Sequence, residues 1–152
     1  VRPRSEKGGA GMIERILLDP GKEIHALADY QGKADAVLVD APCSASGVIR
    51  RHPDVKLLRR AEDIGALAEQ QLGILHGLWP LLKAGGTLLY ATCSIFDEEN
   101  SQVVMRFLEV QDDAALVDTA PSWGEPTAAG RQLLPTADGP DGLFYALITK
   151  AG

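Results

Sequence analysis

Short apolar runs rich in β-formers alternate along this chain with longer stretches whose apolar residues recur every three or four positions. That alternation confines the chain to a sheet with helices on its faces, an α/β architecture. The first clear run is 36–39, Ala-Val-Leu-Val between Asp35 and Asp40, which reads as a strand buried on both faces of a parallel sheet. From 63 to 82, Ile64, Leu67, Ala68, Leu72, Leu75, Leu78, Trp79 and Leu82 share one helical face, and Lys83-Ala84-Gly85-Gly86 ends the pattern. A second strand is expected at 87–91, and a second helix at 97–110 with Val103, Val104, Phe107 and Leu108 on one side. A last strand is expected at 143–149, beyond the turn-forming residues 138–142 and placed to pair with 115–117. The beginning of the chain is less regular. A short helix over 12–19, closed by Pro20-Gly21, and a short strand over 23–28 ending at Asp29 are expected there, after a polar, loose stretch over 1–10.

With 152 residues, 45% of them hydrophobic and 24% charged, the chain has the size and balance of one ordinary globular domain. No apolar run approaches the roughly 20 residues that would span a bilayer, and residues 1–12 lack the apolar stretch of a signal peptide, so a cytoplasmic protein is expected. Two cysteines fifty positions apart make neither a disulfide framework nor a short-spaced metal-ligand pair. Reduced thiols and no metal are the expectation. A net charge of −6 argues against a surface that binds nucleic acid throughout. The charge is uneven, however. Arg50, Arg51, Lys56, Arg59 and Arg60 are opposed only by Asp54, whereas residues 112–142 carry Asp112, Asp113, Asp118, Glu125, Asp138 and Asp141 against Arg131 alone. The basic stretch is a candidate phosphate contact, with a solvated face as the plain alternative. His52, before Pro53, reads as a turn residue.

In open α/β sheets, ligands bind beyond the carboxyl ends of the strands. Two segments sit just past predicted strand ends, Asp40-Ala41-Pro42-Cys43-Ser44 and Thr92-Cys93-Ser94, so two thiols are placed to converge on one cleft. A lone cysteine in such a protein is by default a core residue, and Asp40 alone could simply cap a turn. Together they suit a demanding reaction. Cytosine C5 is a poor nucleophile, and a thiolate added at C6 pushes electron density onto it. Removing the C5 proton afterwards and expelling the thiolate needs a base, and a second thiol can serve. A carboxyl group at the Watson–Crick edge, here Asp40, polarises the ring for the addition. Cys93 stands shortly before a helix start expected near Ser94 or Asp97, where the helix dipole would favour a thiolate, although Asp97, Glu98 and Glu99 would oppose it. The target base would have to be unstacked or flipped out.

The strings VLVDAPCSASGVIRRHPD at 37–54, LKAGGTLLYATCSIFDEEN at 82–100 and LLPTADGPDGLFYALITK at 133–150 resemble the Sun/RsmB branch of the RNA cytosine-5 methyltransferases. The resemblance covers residues 35–152 and implies a Rossmann-like methyltransferase sheet that uses S-adenosylmethionine and modifies small-subunit ribosomal RNA. It implies that Cys93 is the nucleophile, that Cys43 assists product release, and that Asp40 contacts the target base. Asp40, Pro42 and Asp29 are the positions expected on the cofactor side, Asp29 through a match to the family's third strand. Residues 1–34 show neither the family's glycine-rich cofactor loop nor its ribose-binding acid. The chain is therefore expected to lack the N-terminal strands, to bind cofactor poorly, and to self-associate through an exposed sheet edge. Two rival readings stay open. One is an exocyclic-amine methyltransferase, because Asp40-Ala41-Pro42 is similar to the D-P-P motif of that class; the other is a non-catalytic remnant that binds RNA or a partner chain.

Overall fold

A parallel strand pair needs a crossover, and the long amphipathic stretch after Arg60 supplies it. In the computed structural model, which describes residues 14–18, 22–118 and 121–152, strand β1 (Ala34–Asp40) is joined to β2 (Leu82–Thr92) by helices α2 (Val55–Leu58) and α3 (Ala61–Leu78). A short helix α1 (Glu23–Ala26) and a 3-10 turn (Ala28–Tyr30) precede β1. After β2 come a 3-10 turn (Asp97–Glu99), helix α4 (Ser101–Val110), and strands β3 (Ala114–Leu116), β4 (Glu125–Thr127), β5 (Gly130–Leu133) and β6 (Leu143–Lys150). The strands form one mixed sheet in the order β1-β2-β6-β5-β4, with β3 also paired to β6. β1 and β2 run parallel with Val37 opposite Leu88 and Asp40 opposite Ala91, while β6 runs antiparallel to β2 with Thr92 opposite Phe144.

Alternation along the central strands decides which face is filled. Leu88 and Tyr90 on β2 and Phe144, Ala146 and Ile148 on β6 are buried against Leu75 and Trp79 from the end of α3 and Val103, Val104 and Phe107 from α4. Phe107 meets the Trp79 ring edge-on at 5.2 Å and His76 at 5.1 Å. Residues of opposite parity, Leu89, Tyr145 and Leu147, face the other side. There they line a groove of about 480 Å³ with Leu116, Trp123 and Arg131.

Several expectations are met and several are corrected. Both long helices, the strands at 87–91 and 143–149, and the pairing of the last strand with residues near 115 are all present. Helix α3 stops at Leu78 rather than Leu82 because Pro80 has no N–H to continue the ladder, so Trp79–Leu81 tightens into a 3-10 turn. The run 36–39 is a strand, but not one buried on both faces. Among the described residues β1 pairs only with β2, which makes it an edge, and Leu38 is 68% exposed. The strand expected over 23–28 is instead helix α1 and the turn that holds Asp29. Of the helix expected over 12–19, residues 14–18 are not helical and residues 12, 13 and 19 lie outside the described residues, as does the stretch 1–10. The β4–β5 hairpin was not expected, because Gly124, Pro126 and Gly130 break any two-residue alternation.

Phe107 is completely buried beneath two aromatic neighbours. Phe107→Ala is therefore expected to lower the unfolding free energy by about 3–5 kcal/mol, read as a lower urea midpoint with unchanged slope.

Candidate active site

Parallel pairing in register carries the two predicted segments to the same place. The β1–β2 pairing continues past Asp40, where the Ala41 N–H donates to the Ala91 carbonyl at 2.9 Å, and both chains then turn out of the sheet. The Cys43 and Cys93 sulfurs come to 3.3 Å from each other, each half-buried. The turns that carry them are tied by the main chain. Ala45 takes a left-handed conformation (φ 62°), and the N–H of Gly47 donates to the Cys93 carbonyl at 2.9 Å. The N–H of Gly142, at the entry to β6, donates to the Gly47 carbonyl at 2.8 Å. Only glycine fits at position 47, since a Cβ there would stand 2.0 Å from the Gly142 oxygen.

Beneath the thiols lies a buried polar layer. The hydroxyls of Ser44, Ser46 and Ser94 lie within 3.2 Å of one another. The Glu99 carboxylate accepts the Ser44 N–H at 2.7 Å and the Ser94 hydroxyl at 2.6 Å. Gln71 on α3 donates its amide to the Pro42 carbonyl at 2.8 Å and to Glu99 at 3.3 Å. Asn100 accepts from the Thr92 hydroxyl and donates to the Ser94 carbonyl and to Gln132, so the Thr92-Cys93-Ser94 turn is held from β5 as well. Arg59 donates to the Ser44 and Cys43 carbonyls at 3.1 and 3.3 Å.

Burial pushes the Cys43 thiol up to about 12, helped by the neighbouring Cys93 and opposed by a backbone hydrogen bond from Ala45. Cys43 therefore keeps its proton at neutral pH. Asp40 and Pro42 are exposed, and the Asp40 carboxylate has no hydrogen-bond or ion-pair partner among the described residues. Asp29 does not join them. It precedes the amino end of β1, and seven residues of strand, about 20 Å, separate it from the carboxyl end where the thiols stand.

The helix expected close behind Cys93 starts later: α4 begins at Ser101, after the Asp97–Glu99 turn and an irregular Asn100. The helix dipole acts within the first turn and so does not reach the thiol. The basic stretch is also differently employed. Arg50 and Arg51 both pair with Asp141, at 3.0 and 2.8 Å, and Arg50 further donates to the carbonyls of Thr136, Ala137 and Gly139. They tie the 134–142 loop to the segment that follows Gly47, while Lys56 and Arg60 remain exposed. The groove on the open sheet face contains neither cysteine in its lining. Among the described residues there is no group of three or more His, Cys, Asp or Glu that could hold a metal ion, and no helix is long and apolar enough to cross a membrane.

Glu99 and Gln71 are the buried positions beneath the thiols that sequence reasoning missed. Gln71 could have been noticed, because it is a polar residue on the apolar face of α3, between Ala68 and Leu75. Glu99 was read only as one of three acids that would oppose a thiolate at Cys93, and it is wholly buried.

Known proteins resemble this chain in sequence and in fold. The chain is 55% identical to "Ribosomal RNA small subunit methyltransferase B" of Citrobacter koseri over 118 residues, 78% of this chain and 27% of that protein. It is 55% identical to the protein of the same name from Salmonella arizonae over 140 residues, 92% of this chain and 32% of that protein. It thus spans about a quarter to a third of the length of these curated relatives. Among solved structures, that of PH0851 superposes with a TM-score of 0.84 at 33% identity, over 93% of this chain and 32% of that one. NSun6 from Pyrococcus horikoshii with SFG gives 0.74 at 28% identity, over 90% of this chain and 34% of that one. The Rossmann-like methyltransferase sheet expected from the sequence is the fold these relatives share. Residues 8–149 match the family described as 16S rRNA methyltransferase RsmB/F, and with that extent of agreement the chain belongs to it.

Proposed function

We propose that this chain carries the thiol half of an active site that transfers a methyl group to C5 of cytosine in small-subunit ribosomal RNA. The observation that supports this reading most strongly is the 3.3 Å approach of two thiols from the ends of two paired strands. Amine methylation calls for no thiol, so the pair favours C5 transfer over the exocyclic-amine reading.

Burial makes Cys43 the poorer nucleophile, which leaves Cys93 to attack C6. The Cys93 thiol proton passes to water, the S–C6 bond forms as the C5=C6 π bond opens, and its electron pair moves onto C5 while Asp40 holds the base at its polar edge. S-adenosylmethionine is cationic at sulfur and at its amino group. The exposed Asp40 carboxylate, free of partners among the described residues and next to Pro42, fits that character, so these two residues would hold it on this chain's side. Its chemistry there is to supply the methyl group. The C5 proton must then leave and the S–C6 bond break, returning Cys93. Burial is the main influence keeping the proton on Cys43, but hydrogen bonding to Cys93 and its charge add to it. Bonding Cys93 to C6 removes the latter two, so Cys43 gives up its proton more readily at the stage where a base is needed.

Lys56 and Arg60, exposed and without an ion pair among the described residues, would meet RNA phosphates, while Arg50 and Arg51 act through the loop they hold. We also propose that the isolated chain self-associates along the edge of β1 that is unpaired among the described residues, where Leu38 is exposed.

In a protein of the relatives' full length that contains this chain, Cys93→Ala is expected to lower 5-methylcytosine formation by at least about 10³-fold. Mass analysis of digested RNA checks this, and an undiminished methylated product, on C5 or on the exocyclic amine, would reject the assignment. Alkylation of Cys43 in a Cys93→Ser variant should still quicken by about tenfold between about pH 9 and pH 10, beyond the ordinary thiol value of 9, because burial outlasts the loss of Cys93. A rate that is half-maximal near about pH 9 and level by about pH 10.5 would contradict the buried, protonated thiol. Leu38→Lys should lower the apparent mass of the isolated chain in light scattering at high concentration.

A further inference from the structure

Glu99 is wholly buried, and no Lys, Arg or His pairs with it among the described residues. A carboxylate taken out of water without a cation is strongly disfavoured unless its lone pairs are well filled. Three neutral donors fill them here. The Ser44 N–H and the Gln71 amide reach Oε1 at 2.7 and 3.3 Å, and the Ser94 hydroxyl reaches Oε2 at 2.6 Å. The backbone of Glu99 is fixed as well, since its carbonyl accepts the Tyr90 hydroxyl at 2.7 Å.

The identity of the donors matters more than their number. Ser44 directly follows Cys43 and Ser94 directly follows Cys93, so each oxygen of one carboxylate grips the residue next to one thiol. Gln71 braces the arrangement from α3, since its amide nitrogen spans Glu99 and the Pro42 carbonyl, one residue before Cys43. Its own carbonyl oxygen is buried with no partner, so the side chain is oriented by what its nitrogen holds, at the expense of its acceptor. Deepening the two-thiol reading on which it rests, we propose that Glu99 is a positioning residue that sets the separation of Cys43 and Cys93 by clamping Ser44 and Ser94 in one carboxylate.

The clamp needs acceptors at two points. An amide in the same place keeps one acceptor for the Ser44 N–H, and its NH₂ can donate to the Ser94 oxygen if that hydroxyl turns toward Ser46, 3.1 Å away. A methyl group offers neither. The conservative variant is therefore expected to rescue the geometry, and the truncated one to lose it.

Thiol–disulfide exchange with oxidised glutathione measures the separation directly, without cofactor or RNA. One glutathione disulfide bond breaks, one Cys43–Cys93 bond forms, and two glutathione thiols leave with the two protons. The equilibrium constant, read by mass spectrometry after acid quenching, reports the effective concentration of one thiol at the other. At unchanged near-ultraviolet circular dichroism of the full 152-residue chain, Glu99→Ala is expected to lower this constant about tenfold or more, as loss of a supporting partner does. Glu99→Gln should stay within about threefold of the starting protein. Should Glu99→Ala fail to fold, Ser94→Ala removes one arm, together with the contacts of that hydroxyl to Ser44, Ser46 and the Phe96 N–H, and is expected to lower the constant by several-fold. A constant unchanged in folded Glu99→Ala or in Ser94→Ala, or one as low in Glu99→Gln as in Glu99→Ala, overturns the proposal. The readout does not pass through methyl transfer, so a failure of the proposed reaction would leave these constants where they are.

Discussion

The register between β1 and β2 is the constraint from which the rest of the site follows. Two strands that run parallel with Asp40 opposite Ala91 must release their chains at the same edge of the sheet. Cys43 stands three residues beyond Asp40 and Cys93 two residues beyond Ala91. A shift of one residue in this pairing would turn Val39 away from the core and separate the thiols. The helices act on the site mainly by protecting that register. Helix α3 makes the crossover and α4 packs beside it, and Trp79, Phe107 and Val104 press both against Leu88 and Tyr90.

Around the thiols the chain spends polar groups rather than apolar ones. Ser44, Ser46, Ser94, Gln71, Glu99 and Asn100 are all buried, and nearly every donor and acceptor among them is used. Such a layer fixes positions more sharply than a hydrophobic contact can, because hydrogen bonds are directional and each lost partner leaves a buried group unpaired. Arg50 and Arg51 extend the same principle to the surface. By pairing with Asp141, itself nearly buried, they fasten the loop before β6 across the turn that carries Cys43. Charges that by sequence alone looked free to meet phosphate thus contribute to the shape of the site.

How much of this was legible in the sequence depended on the range of the interaction. Periodicity exposed α3, α4, β2 and β6, because burial of one face writes itself directly into residue spacing. The motif strings pointed to Cys43, Cys93 and Asp40, and the structure brings the two cysteines together at the strand ends where Asp40 stands. What stayed hidden depends on partners distant in sequence. Leu38 reads as a core residue until β1 is seen to pair only with β2 among the described residues, and Glu99 reads as one more acid near Cys93 until Ser44, fifty-five positions away, is found donating to it. Asp29 was placed on a strand because Glu23–Ala28 carries β-compatible residues, yet a single turn of helix forms there and leaves Asp29 at the wrong end of β1.

The central claim is that two thiols remote in sequence form one chemical unit. Phenylarsine oxide tests it most directly, because its arsenic bridges a pair of thiols only when they are neighbours. Titrated with the arsenical and then treated with a monofunctional alkylating agent, the chain is predicted to lose both reactive thiols at one equivalent. Two cysteines that remain fully alkylated after several equivalents would contradict the account.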